Sequence, residues 1–133
     1  MSAGSIVVPL LVFEAADCLM AVPASEVAHL ERSAKELRTP FSRLSDEVAF
    51  DLGRYFNGCE SDGPWLHWGR GARSAWLRVR RVVDVVPISL SGLTPMPALL
   101  RDHDRTCAFL ASGIRGDDVF LLLDPGRLNP EGA

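Results

Sequence analysis

The stretch Phe109-Leu110-Ala111-Ser112-Gly113-Ile114, the polar Arg115-Gly116-Asp117-Asp118 and the second run Val119-Phe120-Leu121-Leu122-Leu123 constrain this chain more than any other. Two apolar runs around a four-residue polar segment containing Gly predict an antiparallel hairpin, because the polar segment can reverse while each flank supplies a strand. Val119 to Leu123 is apolar at every position, so both faces of that strand need cover, which predicts a central place in a core. Asp124-Pro125-Gly126 stops it, since Pro cannot donate to a ladder.

A chain of 133 residues is of a size for one compact domain, here 1–133, and buries roughly two-thirds of the surface its unfolded form exposes. Apolar residues at 47% and charged residues at 23% place it among folded globular proteins and away from the disordered class. The net charge of −3 gives no general attraction to nucleic acid or to anionic membranes. Cys18, Cys59 and Cys107 never form a CxxC pair, which disfavours a disulfide framework or a zinc site and predicts buried thiols in a reducing cytoplasm. The run Ile6–Phe13 has no basic lead-in, carries Pro9 and falls far short of the roughly 20 residues that a membrane helix needs. A cytoplasmic protein without membrane insertion is expected.

Ile6–Phe13 and Leu19–Val22, separated by Ala15-Ala16-Asp17-Cys18, read as a first hairpin, with Pro9 starting its strand near Leu10 or marking an edge. Val27, Leu30, Ala34 and Leu37 follow a helical spacing after Ser25, and Thr39-Pro40 ends that stripe. Val48, Phe50 and Leu52 alternate as a strand closed by Gly53, and Asn57-Gly58 and Ser61-Asp62-Gly63-Pro64 are turn signals. Trp65–Trp68 is a short strand, and Gly69–Arg73 a turn into a long strand, Ala75–Val86, bulged at Arg80-Arg81. The prolines between Pro87 and Pro97 make an irregular crossover, Arg101–Arg105 a polar loop, and Asn129–Ala133 a frayed end. Short strands with frequent turns predict an all-β fold, a barrel or a pair of small barrels.

Chemistry-bearing constellations are sparse. Gly69-x-Gly71 lacks the phosphate-loop pattern, and His29, His67 and His103 lie on different elements without metal-ligand spacing, so neither a cofactor nor a metal is expected. Cys59 with His67 is the one thiol–imidazole candidate, and the Asp102-His103-Asp104 segment reads better as a solvated loop. Arg70, Arg73, Arg78, Arg80 and Arg81, interleaved with Trp65, Trp68 and Trp76, could line a barrel face for single-stranded nucleic acid. Exposed Trp and Arg equally suit a protein interface.

Taken together, the segments resemble the chemotaxis coupling-protein family, the CheW-like domain. Leu11-Val12-Phe13-Glu14, Met20-Ala21-Val22-Pro23 and Val27-Ala28-His29-Leu30 are similar to its opening hairpin and V-x-E-I segment. Phe50-Asp51-Leu52-Gly53-Arg54-Tyr55-Phe56 is similar to its V-D-L-R-x-x-F, and Val82–Val86 and Val119–Leu128 to its closing elements. The resemblance implies two five-stranded β-barrels around one core, with a short helix between early strands and a short C-terminal helix. It also implies no catalysis, and bridging of a methyl-accepting chemoreceptor signalling domain to the regulatory domain of a histidine autokinase. It points to Val27, His29, Leu30 and Arg43 as receptor-binding residues; Trp76, Arg78 and Arg80, on an exposed strand, are a second partner surface on the strength of their residue types, Arg80 and Trp76 standing where the family has acidic and small residues. His29 stands where the family has Glu, and the segment before Phe50 is shortened, with Thr39-Pro40-Phe41 and Arg43 as relics of P-x-F-x-x-G-x-x-N-L-R-G. The shortened segment includes part of the family's partner surface, which implies that one of the two contacts is lost or altered. The alternative is a small barrel binding single-stranded nucleic acid.

Overall fold

The computed structural model describes residues 6–31, 48–103 and 106–129. Its first hairpin forms where the apolar runs predict it, β1 (Val7–Ala15) turning into β2 (Cys18–Pro23). The turn residues Ala16 and Asp17 both have positive φ, 52° and 61°, the sense whose twist matches the flanking strands. The C-terminal hairpin is likewise formed, by β9 (Phe109–Arg115) and β10 (Asp118–Leu123), and reverses at Gly116 with φ 61°. A Cβ at Gly116 meets nothing within 4 Å, so Gly116→Ala carries only the backbone cost. Urea denaturation of that variant is expected to show a loss of about 1 kcal/mol.

The remaining strands are β3 (Val27–Glu31), β4 (Val48–Asp51), β5 (Trp65–Arg70), β6 (Arg73–Arg78), β7 (Arg81–Ser89) and β8 (Thr94–Pro95). Helices α1 (Leu52–Asn57) and α2 (Ala98–Arg101) are short. A six-stranded sheet runs β7-β1-β2-β10-β9-β8, and a four-stranded sheet runs β3-β5-β6-β4. The all-β class is therefore as predicted. Among the described residues the strands divide six and four between two sheets, consistent with the expected two-part β architecture, and no strand pairing closes either sheet into a barrel. The larger sheet does curl, since Arg115 of β9 reaches Asp84 of β7 at 3.7 Å although three strands lie between them in the order.

Four expectations along the chain need correction. Val27–Glu31 is a strand, not the start of a helix, and the turn between β2 and β3 is the three-residue 3-10 segment Ala24–Glu26. Residues 32–47, which hold the rest of the helical stripe with Ala34 and Leu37 and also Arg43, lie outside the described residues. Leu52 and Gly53 begin α1, because the Asp51 carboxylate accepts the Arg54 amide as an N-cap and Gly58, at φ 78°, closes the helix. The long strand Ala75–Val86 is two strands, broken at Val79-Arg80 where the chain leaves one sheet for the other. The short closing helix is present as a single 3-10 turn, Pro125–Arg127. The cysteines are not buried thiols either: Cys18 and Cys59 are exposed and Cys107 is half-buried.

β10 has cover on both sides, as a run of apolar residues requires. Leu123, with Leu121 packed against it, belongs to the main core with Phe13, Met20, Leu66, Trp68 and Leu77, which draws on both sheets. Phe120 and Leu122 join Leu10, Val12 and Ala21 in a second cluster on the other face of the larger sheet. Val119, at 62% exposed, is the one residue of that run left open. Pro9 does not start β1, but it marks a local edge: β2 pairing begins at Leu10, and Pro9 faces only Pro87 of β7.

Candidate partner-binding surfaces

The predicted receptor residues fall on β3, an edge strand of the smaller sheet. Its register places Val27 opposite Trp68, His29 opposite His67 and Leu30 opposite Leu66, with a bulge between Val27 and His29. Trp68 and Leu66 belong to the main core, whereas His67 is stacked on Trp76 at 4.5 Å between ring centroids. The pairing therefore sets Val27 and Leu30 against strand positions whose residues are core members, and His29 against His67. Val27 is half-buried against the main core, beside Ala24.

The second predicted set is dispersed. Trp76 is 4% exposed and cannot serve as a docking ring on an exposed strand; its place opposite His67 in the register holds it under cover. Arg78 is half-buried, its guanidinium 5.6 Å from the Trp65 ring centroid and its Nε donating to the Gly63 carbonyl at 3.3 Å. Arg80 is exposed in the link between β6 and β7 and lines a 340 Å³ pocket with Asp17, Asn57, Cys59, Glu60 and Asp62.

Internal partners absorb most of the arginine cluster. Arg70 grips Glu26 through Nε–Oε2 at 2.8 Å and Nη2–Oε1 at 3.1 Å, and reaches Asp124 at 3.2 Å. Arg73 donates to the Gly126 carbonyl, and Arg81 pairs with Glu14. Arg70, Arg73 and Arg81 are exposed but engaged by these partners, which weakens the case for a nucleic-acid surface on the described residues. The thiol–imidazole candidates have separate surroundings: Cys59 lines the 340 Å³ pocket, whereas the His67 ring packs against Trp76. Asp102 and His103 are exposed, Asp104 lies outside the described residues, and no group of three metal-ligating side chains occurs among the described ones.

Glu26 ties the two sheets together. It sits in the turn between β2 and β3, where the chain passes between sheets, and accepts both from Arg70 and from the Trp68 indole N–H at 2.9 Å. Partial burial pushes its carboxyl upward, but the Arg70 and Trp68 hydrogen bonds and the Arg70 charge outweigh that and hold it below the ordinary value of 4.5. Stability from a depressed carboxylate is present above its unfolded pKa and lost as pH falls through the folded one. Glu26→Gln should lower stability at pH 7 by about 1 kcal/mol. In urea melts the difference from the parent protein should shrink on going from pH 7 to well below 4.5.

An exposed apolar band escaped the reading by motif. Register puts Val7, Pro9 and Leu11 of β1 on one face with Val85 and Pro87 of β7. Val7 is 59% and Val85 51% exposed, Pro9 and Pro87 are open, and Leu11 carries the band into the main core, against which Ala24 and Val27 also pack. The signal was in the sequence as alternation on two neighbouring strands, but only the pairing shows that the alternate residues adjoin. β7 is an edge strand, and Pro87 lacks the N–H that an added strand would need, so a partner is better received on the face than along the edge.

The two packed β-sheets of the described residues have a CheW-like fold. The chain is similar to the scaffolding protein CheW of Thermoanaerobacter tengcongensis, with a TM-score of 0.68 and 15% identity, over 92% of this chain and 88% of that one. No protein-family model and no curated protein sequence matches it. No helix among the described residues is long and apolar enough to cross a membrane.

Proposed function

We propose that the chain is a non-enzymatic coupling adaptor of the cytoplasm, holding a chemoreceptor signalling domain close to the regulatory domain of a histidine autokinase. The observation that carries this reading is the apolar band of Val7, Pro9, Val85 and Pro87 at the margin of the main core, on a fold similar to that of a scaffolding protein. A receptor helix lies on that band. Alternate strand residues are about 6.8 Å apart and helix turns about 5.4 Å, so one apolar helical stripe can follow two strand positions on each strand. Val27 and Leu30 extend the contact from β3, with His29 and Arg43 as polar members.

The kinase contact uses Arg78 at the end of β6 and the exposed Arg80 in the link that follows it, while the buried Trp76 contributes only through packing. Receptor state then reaches the kinase through the geometry of the assembly, with no covalent step in the adaptor. Purified adaptor, receptor fragment and autokinase should form a complex in which kinase activity depends on the adaptor. Arg80→Glu should weaken kinase retention several-fold and leave receptor retention unchanged. Retention of the receptor with no effect on the kinase at any adaptor concentration would reduce the function to a receptor-binding module. Single-stranded oligonucleotides should not bind in a salt-dependent manner.

A further inference from the structure

We draw no further inference here: the strongest candidate, the 340 Å³ pocket between the β1–β2 turn and the loop after α1, gathers Asp17, Glu60 and Asp62 around Arg80 beside the exposed Cys59, and nothing in the structure beyond that acidic cluster and single thiol points to a ligand.

Discussion

Gly63→Ala should be among the most destabilising single substitutions in the protein. A Cβ at this position would stand 1.9 Å from the Arg80 carbonyl oxygen and 2.4 Å from that of Val79. Both obstacles are backbone, so no rotamer change relieves the clash. They also belong to the link where the chain changes sheets, a link held by the Val79 amide on the Pro64 carbonyl at 3.0 Å and by the Arg80 amide on Glu14 at 2.8 Å. Val79 itself is fully buried. Moving this segment disturbs both sheets at once, and the expected loss is about 3 kcal/mol or more. Against a total stability of about 5–15 kcal/mol that is a large share. Urea or thermal denaturation measures it, with Gly116→Ala as the comparison that carries a backbone cost without a clash. A Gly63→Ala protein within about 0.5 kcal/mol of its parent would show that loop and link do not approach as described.

Val85→Asp should abolish most receptor binding with little effect on folding. At 51% exposed on an edge strand, Val85 contributes modestly to the core, and an aspartate there can remain hydrated in the free protein. Covered by an apolar helix, the same carboxylate loses its water without gaining a partner, a cost that the free protein never meets. Affinity for a receptor signalling fragment should fall more than tenfold, about 1.4 kcal/mol or more. Titration calorimetry beside a urea melt separates the two effects. Equal affinity of Val85→Asp and parent would move the receptor surface off β1 and β7.

Both hairpins are readable in the sequence because local signals suffice: apolar runs of strand length on either side of short polar turns. The helical reading of Val27 and Leu30 has a definite origin. In a regular strand, residues three apart are out of phase, but the register shift between Val27 and His29 absorbs one residue, so Val27 and Leu30 pair with Trp68 and Leu66, two positions apart on β5. A bulged strand thus imitates the i, i+3 spacing of a helix. Helix α1 was hidden for the opposite reason. Its six residues are too few for a helical period to emerge, and Val48, Phe50 and Leu52 continue a strand-like alternation across its start. The Asp51 cap and Asn57-Gly58 ending were the available clues.

The candidate site was less legible than the fold, since it depends on pairing across the chain. Trp76 reads as an exposed ring between charged residues, yet it is covered, and the cations around it are drawn to Glu26, Asp124, Gly126 and Glu14 from distant parts of the sequence. The band made by Val7 and Val85 joins residues 78 positions apart by number, 85 less 7, and no motif spans that distance.

The most direct test of the adaptor reading is equilibrium binding of the purified chain to an immobilised chemoreceptor signalling domain, beside an ordinary coupling protein as the positive control. Saturable retention of the parent chain, lost in Val85→Asp, is the predicted result. A surface that captures the control and leaves this chain in solution would contradict it.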